Sequence, residues 1–171
     1  IPSPTTIPMP FGYGQEWTAA QINASVCTHN DLPNWGHGTH VSGIAAGNAK
    51  ANGKHKGMAP NSRLVVVALD FNKFGPTIAD AVQYIINKAT AAGKPFVINA
   101  SVGDYYGSHD GTDLEAKLID NLISNIPGRV MVSAAGNAGN VKFHTKNNVT
   151  PTDTNFTWLY KASGNVYYWL Y

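Results

Sequence analysis

The apolar positions of this chain change their spacing along its length, and each change predicts a different element. Residues 64–69, Leu-Val-Val-Val-Ala-Leu, form a continuous apolar and largely β-branched run, which is typical of a strand buried on both faces. Over residues 78–89 the apolar positions recur three and four apart, the period of a helix with one buried face. Thr77 stands where the helix cap is expected, and Gly93 and Pro95 stand where the helix should end.

The same alternation continues further along the chain. Residues 96–98 predict a second strand and residues 130–132 a third. Between them, residues 114–126 predict a helix, with Thr112 and Glu115 at the spacing of a capping box. Apolar strands that alternate with helices indicate an α/β fold, in which a parallel sheet is flanked by helices.

The segments that follow these two strands are expected to carry the function. Ligand sites of such sheets lie at the carboxyl ends of the strands. Residues 99–103 and 134–139 occupy that position and are rich in small side chains. We therefore expect the two segments to line one crevice.

The pattern differs near the two ends of the chain. The first 14 residues are rich in proline and predict an extended surface segment, and Thr18 and Gln21 then have capping-box spacing for a short helix. Residues 155–160 and 166–171 are aromatic and β-prone, and the turn residues between them predict a hairpin. Because the chain opens without a methionine and stops inside the second of these runs, we expect it to be part of a longer protein.

Composition excludes several classes of function. The 171 residues carry a formal net charge of +2, with 43% hydrophobic and 13% charged residues, as in a weakly charged globular domain with a sizeable core. This charge provides no electrostatic reason to expect nucleic acid or an acidic membrane surface as a partner. No apolar run is long enough to cross a bilayer. Cys27 is the only cysteine, so an intrachain disulfide is impossible.

His37 is the strongest candidate for chemistry. It begins a run of small and apolar residues at helical spacing, in which Gly43 and Gly47 would allow a neighbour to pack closely. A metal site built from His37 and His40 is disfavoured, because the zinc-protease helix places a glutamate between histidines four apart. The loop at residues 48–56 has three lysines and no carboxylate, which predicts no metal ion there.

Three motifs together resemble those of subtilisin-like serine proteases. Residues 37–43, His-Gly-Thr-His-Val-Ser-Gly, resemble the histidine motif of that family. Residues 99–103, Asn-Ala-Ser-Val-Gly, resemble its substrate-binding strand, and residues 134–137, Ala-Ala-Gly-Asn, resemble its oxyanion-hole motif. The motifs occur in the family's order between Gly36 and Gly139, and their conjunction is more specific than any one of them.

The resemblance implies a particular architecture. Residues 1–140 would be part of a subtilisin-like catalytic domain, a three-layer sandwich with a parallel sheet between helices. Residues 11–24 and 141–171 are similar to a bacterial branch of the family with a long β-rich insertion before the nucleophile. On that interpretation, residues 141–171 begin an antiparallel β insertion.

The resemblance also implies the residues of the site. His37 would be the general base and Asn137 would donate a hydrogen bond to the oxyanion of the tetrahedral intermediate, roles that belong to the family's established triad mechanism. The alternative for Asn137 is a plain turn residue. An extended peptide would pair with the backbone of the substrate-binding strand, and a substrate residue would fit beside the glycine of the oxyanion motif. The implied substrate-binding residues are Ser101, Val102, Gly103 and Gly136.

Two members of the triad have no counterpart in this chain. No strand with the aspartate motif precedes His37, and no serine after Asn137 has the context of the nucleophile. Asp31 lies too close to His37 in sequence to orient it, and we interpret it as a turn residue. The chain alone is therefore not expected to cleave peptides.

Two functions remain open. The complete protein would be a serine endopeptidase, secreted or at the cell surface by resemblance, with a polypeptide substrate and no cofactor. Its catalytic domain would be completed by further segments of the parent protein, and neither nucleic acid nor a membrane would be a partner. Alternatively, the protein is a pseudoprotease that keeps the fold and the peptide groove as a binding or regulatory module.

Overall fold

The computed structural model describes residues 6–71, 78–158, 160 and 164. It divides into two compact units, Ile1–Phe96 and Val97–Tyr171. A 3₁₀ turn at Leu32–Asn34 precedes the second α-helix. The helices and strands are α1 (Ala19–Asn23), α2 (His37–Ala46), α3 (Ile78–Ala91), β1 (Phe96–Ala100), α4 (Leu114–Ile123) and β2 (Arg129–Ser133).

The helices predicted in the first unit are present. The capping box of α1 is confirmed, because the Gln21 N–H donates to Thr18 Oγ1 and the Thr18 N–H donates to Gln21 Oε1, at 3.3 and 2.8 Å. Helix α3 also agrees with its prediction, although the predicted cap Thr77 lies outside the described residues. After α3, the Lys94 N–H donates to the Ala89 carbonyl at 3.0 Å and closes the end of the helix before Pro95.

Among the described residues of the first unit, most of the buried hydrophobic side chains lie on the apolar face of α3. Ala79, Val82 and Ile86 are buried at spacings of three and four, and Val82 is only 1% exposed. Ala46 at the end of α2 is also buried. The periodicity that predicted the helix therefore also identified its buried face.

The N-terminal segment is joined to α3 by side-chain contacts. The Tyr13 hydroxyl donates to Asp80 Oδ2 at 2.6 Å, and Lys88 Nζ forms an ion pair with Glu16 Oε1 at 2.5 Å. Lys88 Nζ also lies 5.3 Å from the centre of the Tyr84 ring. Burial, the Asp80 hydrogen bond and the Asp80 charge together raise the pKa of Tyr13 to about 12. The predicted surface segment thus makes specific contacts where the structure describes it.

The strand predicted at residues 64–69 does not form. These residues have no regular secondary structure, and Leu64, Val65 and Val66 are 56%, 44% and 66% exposed. A strand requires a neighbour whose N–H and C=O groups complete its ladder. No neighbouring strand is present for this run within the described ranges. Its apolar, β-branched composition alone is therefore not sufficient to form a strand.

The second unit contains two adjacent strands joined through a helix. Both strands, β1 and β2, were predicted, and they form a small parallel pair with α4 between them in sequence. The Arg129 guanidinium donates to the Leu122 carbonyl at 2.6 Å, which connects the end of α4 to the start of β2. Helices and a parallel pair of strands confirm the predicted α/β class.

The predicted cap of α4 was wrong by one residue. Asp113, not Thr112, is the N-cap, and its carboxylate accepts from the Ala116 N–H at 2.9 Å. Thr112 instead donates its N–H and its hydroxyl to Asp110 Oδ1 at 2.9 and 2.6 Å. An ionised carboxylate is a strong cap at the positive end of a helix, which explains why Asp113 and not Thr112 is the N-cap. The helix ends at Ile123, so Ile126 lies beyond it.

Several predictions of architecture are not tested by the described residues. Most of the hairpin predicted from residues 155–160 and 166–171 lies outside the described ranges, and residues 155–158 form no strand. The three-layer sandwich and the boundary between residues 140 and 141 stay predictions. Within the part of the chain that the structure describes, no helix is both long and apolar enough to cross a bilayer.

Candidate active site

His37 is the first residue of α2, and a carboxylate from outside the helix caps this end. The N-cap residue, Gly36, has no side chain to offer. Asp31 Oδ2 accepts instead from the Thr39 N–H at 2.8 Å and from the Thr39 hydroxyl at 3.0 Å. These two bonds, with smaller contributions from the nearby charges of His29 and His37, lower the pKa of Asp31. The helix end that carries His37 is therefore held by an ionised side chain.

The other end of α2 is closed by the chain that returns after residues 48–56. A Cβ at Gly57 would lie 2.5 Å from the Gly47 nitrogen and 2.7 Å from the Ala46 nitrogen, so only glycine fits there. Of the two glycines predicted to let a neighbour pack closely, Gly47 is contacted by the backbone of Gly57, whereas a Cβ at Gly43 would meet no atom within 4 Å. Three backbone N–H groups of this returning segment donate to carbonyls at the end of α2. The donor and acceptor pairs are Gly57 and Gly47 at 2.7 Å, Met58 and Ile44 at 3.0 Å, and Ala59 and Ala45 at 2.8 Å.

His37 and His40 both have exposed side chains on this helix. The His40 N–H donates to the Gly36 carbonyl at 2.9 Å as part of the first helical turn. His37 thus presents an exposed imidazole on a backbone that is fixed at both ends of α2. No group of three or more His, Cys, Asp or Glu side chains that could bind a metal ion is found among the described residues.

The predicted substrate strand and the predicted asparagine turn begin at the same end of the second unit's sheet. The Ala134 N–H donates to the Ala100 carbonyl at 3.1 Å, which continues the pairing of β1 and β2 by one step. Residues 101–103 and 134–139 therefore leave the strand pair side by side. Of the implied substrate-binding residues, Ser101 and Val102 are partly buried and Gly103 is exposed.

Tyr105 fixes the turn that contains Asn137. Its hydroxyl oxygen accepts from the Asn137 N–H at 3.0 Å and from the Ala138 N–H at 2.9 Å. Its ring stacks on Phe143, with the ring centres 4.1 Å apart and the planes inclined by 19°. Gly136 has φ +90°, and a Cβ there would lie 2.9 Å from the Tyr105 hydroxyl. Tyr105 thus lies on one side of Gly136, and the room that the sequence predicted beside this glycine for a substrate residue stays a prediction.

Sequence reasoning missed the roles of Asp31 and Tyr105. Asp31 is a turn residue, as interpreted, because its carbonyl accepts from the Asn34 and Gly36 N–H groups at 3.1 and 3.0 Å. Its second role could have been suspected, since a glycine N-cap leaves the N–H groups of the first turn in need of another acceptor. No spacing in the sequence indicates that Tyr105 contacts Asn137 and Ala138, which lie more than 30 positions further along the chain.

The predicted site residues are divided between the two units. His37 belongs to the first unit, and the substrate strand and Asn137 belong to the second. A shallow groove in the first unit contains none of these residues. It is lined by Thr6, Ile7, Pro8, Met9, Glu16, Tyr84, Asn87, Lys88 and Ala91.

Comparison with known proteins agrees with the motifs. The model described as "Subtilase family", of the peptidase S8 group, matches residues 15–163. The "Thermophilic serine proteinase" of Bacillus sp. (strain AK1) is 39% identical over 112 residues, which cover 64% of this chain and 25% of that protein. The "Subtilisin" of Bacillus sp. (strain TA39) is 33% identical over 109 residues, which cover 61% of this chain and 24% of that protein.

The chain spans about a quarter of the length of these relatives. No solved structure matches it significantly. The family match nevertheless covers most of the 171 residues and includes all three motifs. The chain belongs to the subtilase family of serine proteases.

Proposed function

We propose that this chain supplies the general base and an oxyanion donor of a subtilisin-like serine endopeptidase. The observation that carries the proposal is the subtilase match over residues 15–163, which includes both His37 and Asn137. The aspartate and the serine of the triad come from further segments of the parent protein. The parent is the active enzyme, and the 171-residue chain by itself is inactive.

His37 is the base in this proposal. It takes the proton of the serine hydroxyl as that oxygen attacks the peptide carbonyl, and later gives it to the leaving amine. An imidazole suits both steps because its ordinary pKa lies near neutrality. The exposure of its side chain and the two fixed ends of α2 support this role. Asp31 caps α2 through two bonds from Thr39, and in this proposal the orienting carboxylate is a different aspartate.

Asn137 stabilises the charge that develops on the carbonyl oxygen. Its side-chain amide donates to the oxyanion more strongly than to the neutral carbonyl, and this difference lowers the barrier. Loss of such a donor costs about 3 to 4 kcal/mol, a magnitude established for subtilisin itself. The position of Asn137 in a turn directly after β2 supports the role, since ligand sites lie at the carboxyl ends of parallel strands.

The substrate is an extended polypeptide. It pairs its backbone with Ser101, Val102 and Gly103, which continue from β1 at the same end of the strand pair as the Asn137 turn. Gly136 borders the place of a substrate side chain, next to the Tyr105 hydroxyl. The proposal includes the three-layer sandwich, part of the catalytic domain over residues 1–140, a β insertion beginning at residue 141, and secretion or cell-surface location.

Labelling of the serine tests this function in the full-length protein. A fluorophosphonate probe should label the intact enzyme, and His37→Ala should slow the labelling by roughly a hundredfold or more, since loss of one triad member removes most of the rate. The matched control is His109→Ala, which removes an exposed loop imidazole. Unchanged labelling in His37→Ala would contradict the role of His37. A full-length protein that takes up no probe would instead support the pseudoprotease.

A further inference from the structure

We propose that Tyr105 is a positioning residue for Asn137, and this inference rests on the function proposed above. The tyrosine does not touch the reacting atoms. It determines where the backbone of the asparagine turn lies, and thereby where the Asn137 side chain can donate. Nothing in the three family motifs includes this residue, which comes two positions after Gly103.

The hydroxyl of Tyr105 constrains two consecutive peptide units. Its oxygen accepts from the N–H of Asn137 at 3.0 Å and from the N–H of Ala138 at 2.9 Å. Two donors that converge on one atom fix both the position and the tilt of the turn, because each bond prefers a nearly straight N–H···O angle. The residue that carries the proposed oxyanion donor is therefore one of the two residues that are held.

The ring of Tyr105 is held independently of its hydroxyl. It stacks on Phe143 with a centre separation of 4.1 Å and an inclination of 19°. Gly136 lies against the same side chain, since a Cβ there would come within 2.9 Å of the hydroxyl and 3.4 Å of two ring carbons. Aromatic stacking on one side and backbone contact on another leave the hydroxyl little freedom to move.

Placement of this kind matters for an oxyanion donor. A donor must lie at hydrogen-bond distance from the position that the oxyanion will occupy, which is not the position of the ground-state carbonyl oxygen. A displacement of about 1 Å can reduce a rate by roughly a hundredfold. Since the transition state requires this geometry more than substrate binding does, the loss should appear mainly in kcat.

Kinetics of the full-length enzyme test the inference. Tyr105→Phe removes the accepting oxygen and keeps the ring, and we expect kcat to fall by roughly ten- to hundredfold while KM changes by less than about threefold. The matched control, Tyr106→Phe, removes a hydroxyl one residue away and keeps both bonds to the turn, so kcat should be unchanged. An unchanged kcat in Tyr105→Phe would overturn the inference.

A double-mutant cycle separates positioning from general stability. In an Asn137→Ala background there is no side-chain donor left to position, so adding Tyr105→Phe should change kcat by less than about twofold. Equal effects of Tyr105→Phe in both backgrounds would show that the tyrosine acts otherwise, and would overturn the inference. If Asn137→Ala lowers kcat but Tyr105→Phe does not, the proposed function stands and only the role of Tyr105 fails. An unchanged kcat in Asn137→Ala would overturn both.

Amide hydrogen exchange provides a readout that does not depend on catalysis. Tyr105→Phe should accelerate exchange at the Asn137 and Ala138 N–H groups, by roughly tenfold or more, because their shared acceptor is lost. Tyr106→Phe should leave both rates unchanged. Equal exchange rates in the parent and in Tyr105→Phe would overturn the inference even if serine labelling and the His37→Ala result support the proposed function.

Discussion

Replacing Gly136 by alanine tests the most constrained contact of the asparagine turn. The residue has φ +90°, a conformation that side-chain-bearing residues rarely adopt. The new Cβ would lie 2.9 Å from the Tyr105 hydroxyl oxygen and 3.4 Å from the Cε1 and Cζ atoms of the ring. The variant therefore adds backbone strain and also displaces the oxygen that accepts from the turn.

The magnitude follows from these two effects. Backbone strain of this kind costs about 1 to 3 kcal/mol. Displacement of Tyr105 weakens its bonds to Asn137 and Ala138, each of which contributes about 0.5 to 1.5 kcal/mol. We expect Gly136→Ala to lower the free energy of unfolding by about 2 to 5 kcal/mol.

Urea unfolding followed by far-UV circular dichroism measures the change, and Gly139→Ala is the matched control in the same segment. A Cβ at Gly139 meets no atom within 4 Å among the described residues. The double variant Gly136→Ala, Tyr105→Phe should cost about 1 to 2 kcal/mol less than the sum of the two single variants, because the Tyr105 hydroxyl that the new Cβ would meet is then absent. If Gly136→Ala costs no more than Gly139→Ala, the geometry assigned to this turn is refuted.

Three further substitutions test the first unit. Asp31→Asn should destabilise α2 at neutral pH, because Asp31 accepts from Thr39 as an anion. The lowered pKa of Asp31 means that this stabilisation is present above its unfolded pKa of about 4 and is lost as the pH falls through the folded value, which urea unfolding at several pH values would show. Val82→Ala should cost about 2 to 3 kcal/mol in the same assay, since the buried side chain leaves a cavity. In an ultraviolet titration, Asp80→Asn should move the pKa of Tyr13 down from about 12, but not to its ordinary value, because burial is the larger cause.

Each of these expectations has a control or a contradicting result. A difference between Asp31→Asn and the parent that stays constant into acid would show that the charge is not responsible. Val66→Ala removes the same atoms from a side chain that is 66% exposed, and should cost much less than Val82→Ala. The Tyr13→Phe spectrum identifies the Tyr13 titration among the eight tyrosines, and an unaltered titration in Asp80→Asn would contradict the contact between the two side chains.

Local sequence determined the helices and the two paired strands. The three- and four-residue spacing of α3 identified its buried residues Ala79, Val82 and Ile86, because one helical face must leave water. The capping box of α1 was equally predictable, since donor and acceptor lie three residues apart. The order of the motifs around His37 and Asn137 indicated the family without the help of any tertiary contact.

Tertiary structure determined the features that local sequence rules left open or predicted wrongly. Residues 64–69 have the composition of a strand, but a strand exists only where another segment completes its hydrogen bonds. The cap of α4 depended on a competition between Thr112 and Asp113 that spacing does not resolve. Contacts between distant residues lie outside any periodic pattern, because their partners are brought together only by the fold.

The candidate site shows this division most clearly. The sequence by itself selected His37 and Asn137, because these residue types in these motifs match a known chemistry. It did not select Asp31 as the cap of the His37 helix, or Tyr105 as the acceptor for the Asn137 turn. Each of these residues makes its hydrogen bond to a residue that a turn or a strand pair brings close. Chemical identity is encoded in local motifs, whereas the position of each reactive group depends on hydrogen bonds whose partners only the folded chain brings together.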